Sequence, residues 1–185
     1  MKEVKVTCSA GFLLLAACLI YLDGIRFFAQ VMLVCVLHEV GHLAAALGVG
    51  SRVRRLRLTV AGAEMILDPK KQLSYIQDAI LALSGPVWNL AVAWFAARAG
   101  ADMLAGLNLC FGLLNLLPVR PLDGGRIMFG LLSLLDSEFA EKVSALLSIL
   151  ISGFLLGLGW AAWQRWGNLS LLCTSVWLMI TTLKC

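Results

Sequence analysis

The chain has 185 residues, of which 61% are hydrophobic and only 14% charged, with a mean hydropathy of +0.90. Soluble chains are roughly a quarter charged, so this composition excludes a soluble domain and points to a multi-span membrane protein set in the lipid bilayer. The net charge of +4 follows from loop charges of the kind that orient membrane proteins, and gives no reason to invoke nucleic acid.

Apolar stretches near the ~20 residues needed to cross a bilayer run over 9–22, 27–49, 75–97, 103–118, 143–163 and 168–183. They predict an all-α polytopic fold of about six transmembrane helices in a single domain, 1–185. Lys2 and Lys5 ahead of the first stretch look like the charged region of a signal peptide. No small-x-small cleavage site follows, so an uncleaved first helix is expected. In this topology Lys2, Lys5, Arg52, Arg54, Arg55, Arg57, Lys70, Lys71, Lys142 and Lys184 fall on one side, and Arg26, Arg98 and Arg165 on the other. Short cytoplasmic loops are rich in Lys and Arg, so both termini and the loop from Gly50 to Ser74 are predicted to be cytoplasmic.

The second stretch contains the only two histidines, in His38-Glu39-Val40-Gly41-His42. On a helix this spacing stacks both imidazoles on one face with Glu39 beside them, the arrangement that holds Zn²⁺ and a general base in metalloproteases. Two imidazoles and a carboxylate within a bilayer-length apolar segment are expensive unless they face a cavity, a partner or a metal. Structural histidines bonded to neighbouring helices are the bland alternative.

In the loop that follows, Arg55, Arg57 and Thr59 alternate with Leu56, Leu58 and Val60, and Met65 and Leu67 alternate with Glu64 and Ile66. Period two predicts a short β-hairpin. It either pairs with an extended substrate segment or anchors a basic surface at the membrane. The third stretch is interrupted by Ser84-Gly85-Pro86-Val87-Trp88-Asn89. Asn89 can donate to a developing oxyanion or hold a substrate carbonyl, or it can serve as glue between helices.

Zinc with an open position for water needs a third protein ligand, and with no third histidine a carboxylate is the natural donor. Asp123 lies in Asn115-Leu116-Leu117-Pro118-Val119-Arg120-Pro121-Leu122-Asp123-Gly124-Gly125, where two prolines and two glycines break the helix. Broken backbone at membrane depth is tolerated where protein or a water-filled cavity receives it, so Asp123 can reach inward as a ligand. It can also cap a helix from Gly125 to Leu135, and the two roles are compatible. The six cysteines show no Cys-x-x-Cys pairing and read as small apolar residues. Trp160, Trp163, Trp166 and Trp177 read as membrane-spanning and interface residues.

Taken together, the three motifs at 38–42, 84–89 and 115–125 resemble the site-2 intramembrane metalloproteases, and within them the small stage IV sporulation FB type. The likeness in order and spacing covers roughly residues 25–135. It implies one Zn²⁺ per chain held by His38, His42 and Asp123, with Glu39 as base. It further implies that Asn89 and Asn115 face the catalytic cavity as substrate or oxyanion contacts.

The function so implied is regulated intramembrane proteolysis in a bacterial cell membrane, with a membrane-associated protein substrate cut near the cytoplasmic face. That substrate fits a membrane-tethered transcription factor precursor of a sporulating cell, with room for a membrane regulatory protein. No soluble regulatory domain is expected after the last span. Arg120 departs from the motif and is expected to extend outward to the interface. A metal-ion or proton transporter, or a non-catalytic membrane binding protein, are the competing readings.

Overall fold

A computed structural model describes residues 5–8, 10–51, 53–59, 62–67, 73–167 and 169–184. Lys2, Arg52, Lys70 and Lys71, used above to orient the chain, lie outside them. In chain order the elements are β1 (Lys5–Cys8), α1 (Ala10–Gly48), β2 (Val53–Thr59), β3 (Gly62–Leu67), α2 (Tyr75–Arg98), α3 (Asp102–Asn115), α4 (Asp123–Leu132), α5 (Ser137–Trp166) and α6 (Leu169–Lys184). They form two compact units, Met1–Leu73 with Ser84–Leu113, and Ser74–Leu83 with Leu114–Cys185.

In the first unit, the expected first and second spans are two arms of α1. They meet at Gly24, whose φ of 84° is open to glycine and strained for other residues. The helix ends at Gly48 and the chain turns away at Gly50, φ 68°. There Ser51 N–H donates to Ala46 O (2.8 Å) and Gly50 N–H to Leu47 O (2.9 Å), the paired bonds of a Schellman cap that satisfy the last carbonyls.

The loop after it forms strands. β2 and β3 pair antiparallel, with Leu56 opposite Met65 and Thr59 opposite Gly62, while residues 60–61 lie outside the described residues. β1 adds to the other side of β2 in parallel, with Lys5 opposite Arg55, giving the order β1-β2-β3. The fold is therefore helical with a small mixed sheet, and β1 stands where only a charged leader to the first helix was expected.

The helix α2 begins with a capping box: Gln77 N–H donates to Ser74 Oγ (3.2 Å) and Ser74 N–H to Gln77 Oε1 (3.1 Å), satisfying two end donors reciprocally. The interruption expected at Gly85-Pro86 does not occur. Pro86 lies inside a continuous 24-residue helix, because proline removes one backbone bond and neighbouring groups in a bundle can absorb the loss.

The second unit is built around α4, α5 and α6. Residues 116–122 cross the start of α4 so closely that a Cβ on Gly124 would strike the carbonyls of Leu116 and Leu117, and one on Gly125 the carbonyl of Val119. The helix starts at Asp123, two residues earlier than expected, with Leu122 at its N-cap, so Asp123 is a first-turn residue and not the cap. Val119, Leu122 and Leu178 form the buried core, flanked by Ile151, Leu155 and Trp177. Arg120 does not run free to the interface: its guanidinium pairs with Glu141 Oε1 at 2.7 Å and donates to the Glu141 carbonyl at 2.8 Å.

Three helical stretches among the described residues are long and apolar enough to cross a bilayer: Gly24–Gly48, Tyr75–Arg98 and Ser137–Trp166. Their outer faces carry exposed apolar side chains such as Leu33, Phe95 and Phe154, as lipid contact requires. The expected count of about six is not reached by this measure. The helix α3, 14 residues long, extends only about 21 Å against a hydrocarbon core of about 30 Å, and Leu171–Leu183 is likewise short.

Candidate metal centre

The helix α1 places His38 and His42 one turn apart and buries both, at 5% and 6% exposure. Their Nε2 atoms lie 3.0 Å apart and the rings stand edge to face, with centroids 4.6 Å apart. Two imidazole ligands on one tetrahedral zinc, each at 2.0–2.1 Å, would hold their nitrogens about 3.4 Å apart. The observed pair is within a few tenths of an ångström of that spacing, so the residues fit the ion.

What lies behind each ring reinforces the fit. His38 Nδ1 is 2.6 Å from Asn89 Oδ1, and His42 Nδ1 is 3.4 Å from Ser84 Oγ. A ligating histidine normally engages its second nitrogen in this way, which fixes ring orientation and tautomer. Phe111 packs its ring edge-to-face on His38 at 5.1 Å.

Two glycines set the depth of the site. A Cβ on Gly41 would come within 2.6 Å of Ser84 O and 3.0 Å of Gly85 Cα, whereas one on Gly85 would come within 2.5 Å of His42 Nε2 and 2.8 Å of His38 Cε1. Gly85→Ala is therefore expected to leave the helix standing, since alanine is the better helix former, and to displace the imidazoles. Zinc affinity should fall about 10–100-fold, the range for lost ligand support. Gly41→Ala meets main chain that cannot step aside, and should cost about 1–3 kcal/mol of stability. Thermal melts run beside chelator competition separate the two effects; an unchanged affinity in Gly85→Ala would contradict this reading.

Asn89 is fully buried, and both ends of its amide are engaged. Its Nδ2 donates to Asn108 Oδ1 at 2.8 Å and to Val34 O at 3.3 Å, while Oδ1 faces His38. Asn89 was expected as an oxyanion or substrate contact, and its Nδ2 here points to Asn108 and Val34, inside the helix packing. Glu39 is half-buried on α1 beside His38, and Asn115 is half-buried at the end of α3.

Asp123 belongs to the second unit, buried to 8% exposure in the first turn of α4. Arg126 stands 3.7 Å from it and makes its shorter bond, 2.6 Å, to Asp78. A buried carboxylate needs a countercharge or a metal, and Arg126 is shared between two acids. The sequence reading had passed over Asn108 and the contact of Gly85 with both rings. Asn108 carried a signal, an amide inside an apolar stretch, which in a membrane helix is expensive unless bonded.

The Peptidase family M50 profile matches residues 97–158. Stage IV sporulation protein FB of Bacillus subtilis is 28% identical over 132 residues, covering 66% of this chain and 46% of that protein. A Synechocystis protein provisionally named a zinc metalloprotease is 28% identical over 119 residues, covering 58% of this chain and 30% of its own length. The chain thus spans less than half the length of these curated relatives. The solved site-2 protease of Methanocaldococcus jannaschii superposes with a TM-score of 0.75 at 20% identity, over 100% of this chain and 92% of that one, a likeness that shows the fold. A segment of the chain thus matches the Peptidase family M50 profile, two relatives are 28% identical to it over the matched stretches, and the fold, with three helices long and apolar enough to cross a membrane, is that of the solved site-2 protease.

Proposed function

We propose that this chain is a zinc-dependent intramembrane endopeptidase that cuts a membrane-associated protein near the cytoplasmic face. The observation that carries the reading is the buried His38–His42 pair in an apolar helix, with Nε2 atoms 3.0 Å apart and each ring held from behind at Nδ1. With His38, His42 and Asp123 as its three protein ligands, a zinc ion would keep one position open for water, as catalysis requires. Zinc, when bound, supplies Lewis-acid polarisation and brings water ionisation down to about pH 7.

Glu39 takes a proton on its carboxylate oxygen from the attacking water and returns it to the leaving amine. Asn115, half-buried where α3 ends, contacts the substrate, whereas Asn89 acts on His38. The substrate must be unwound to expose its peptide bond, and β3, at the end of the sheet, offers an edge with which an extended segment can pair.

The finer topology is part of the same proposal: about six crossings, with both termini and the β2–β3 segment cytoplasmic, supported by the one-sided placement of Lys and Arg. The Bacillus relative is named a sporulation protein, which supports a bacterial setting; a cell-membrane location and regulated proteolysis of a tethered transcription factor precursor under a membrane regulator belong to the same proposal, as the motif resemblance implies.

The test reconstitutes the purified protein in liposomes with a single-span test protein carrying a Gly-Pro break near its cytoplasmic end. Cleavage close to that end, stopped by a zinc chelator and restored by zinc, is expected. Cleavage indifferent to the chelator contradicts the metalloprotease reading.

A further inference from the structure

Within the first unit a line of three polar side chains crosses from α3 through α2 to α1, and its direction can be read without ambiguity from its ends. Asn108 is fully buried and its amide sits 2.9 Å from the Leu104 carbonyl. A backbone carbonyl only accepts, so Asn108 presents Nδ2 to it and is left with Oδ1 facing Asn89. Asn89 must therefore present Nδ2 to Asn108 Oδ1, at 2.8 Å, and the same Nδ2 also meets the Val34 carbonyl at 3.3 Å. Its own Oδ1 then faces His38 Nδ1 at 2.6 Å. An amide oxygen cannot donate, so the proton of that bond belongs to Nδ1, and the neutral ring carries an unprotonated Nε2. That is the nitrogen turned toward His42.

From this we infer that Asn108 is a positioning residue: through Asn89 it locks His38 in the Nδ1–H tautomer and so prepares Nε2 as a metal ligand before any metal arrives. The inference rests on the reading of His38 as a zinc ligand and deepens it. Two observations separate this role from ordinary helix glue. The line ends on the imidazole, not on another backbone group, and both amides are oriented by carbonyls with no choice of role.

Were Asn108 replaced by leucine, Asn89 would keep only the longer contact to Val34 to hold its orientation. A flipped Asn89 would offer Nδ2 to Nδ1 and select the opposite tautomer, in which Nε2 carries a proton and cannot bind metal. Support residues behind ligating histidines typically contribute 10–100-fold in metal affinity.

The experiment takes full-length protein labelled with ¹⁵N-histidine and purified metal-free. With only two histidines in the chain, the imidazole nitrogen spectrum is assigned by comparison with His42→Ala. Wild type is expected to show His38 protonated at Nδ1. Asn108→Leu should show both tautomers and a zinc affinity reduced about 10-fold or more in chelator competition. Asn108→Thr, whose hydroxyl can donate to the carbonyl four residues back and accept from Asn89, should restore much of both.

A purely structural Asn108 would lower the melting temperature and leave the tautomer where it was. A proton on Nε2 of His38 in metal-free wild type overturns the inference without any variant, and so does an Asn108→Leu protein with wild-type tautomer and affinity. Failure of the underlying reading looks different: wild type would bind no zinc whatever its tautomer.

Discussion

Glu39→Gln is expected to bind zinc as wild type does and to lose cleavage by about 10²–10⁴-fold or more, the contribution of a positioned general base. Glutamine keeps the size and shape of the side chain on α1 and cannot take up the proton of the attacking water. The supports of the two imidazoles, Asn89 behind His38 and Ser84 behind His42, are separate residues that this substitution leaves in place. Rates on the liposome-borne test protein, measured beside zinc content in the same preparation, check the prediction. A glutamine variant that cuts at the wild-type rate removes Glu39 from the mechanism, and one that loses its zinc makes it part of the metal site.

Asp123→Ala and His42→Ala should each weaken zinc binding by more than about 100-fold, beyond the range for supporting residues, because each removes one of the three proposed ligands. The loss in Asp123→Ala should come without collapse of the second unit. Arg126 keeps its 2.6 Å bond to Asp78 and is partly exposed, so no unpaired cation is left buried, and the core of Val119, Leu122 and Leu178 is untouched. Chelator competition with circular dichroism on the same samples reads both quantities. Wild-type affinity in Asp123→Ala would refute its ligand role and return the residue to pairing with Arg126.

The chemistry of this site was legible in the sequence to the extent that it lay within single segments. Two histidines at helical spacing with a carboxylate between them need no tertiary information, and the gap between the apolar runs at 22 and 27 marks the place where Gly24 bends α1. Pro86 misled because a proline reads as a local break, whereas a bundle can absorb one missing backbone bond. The strand β1 pairs in parallel with residues fifty positions away, and four residues carry no periodicity that could announce it. The count of crossings cannot be read from apolarity alone: 103–118 is apolar along its length, and the helix there has only 14 residues.

The roles of the amides were the least legible. Asn89 drew attention as a polar residue in a span, and only its partners show that it faces His38. Asn108 gives no directional signal in sequence at all, since its meaning depends on the Leu104 carbonyl and on a side chain from another helix. Arg120 shows the same limit from the other side: a long cation at a membrane motif suggests a reach to the interface, and a glutamate on α5 holds it instead.

The most direct test of the account is the zinc content of the detergent-purified, folded protein, by elemental mass spectrometry. About one zinc per chain is the predicted result, as a single site with His38, His42 and Asp123 as its three protein ligands requires. Folded wild-type protein that holds no zinc, even after the ion is resupplied, would contradict the metalloprotease account at its root.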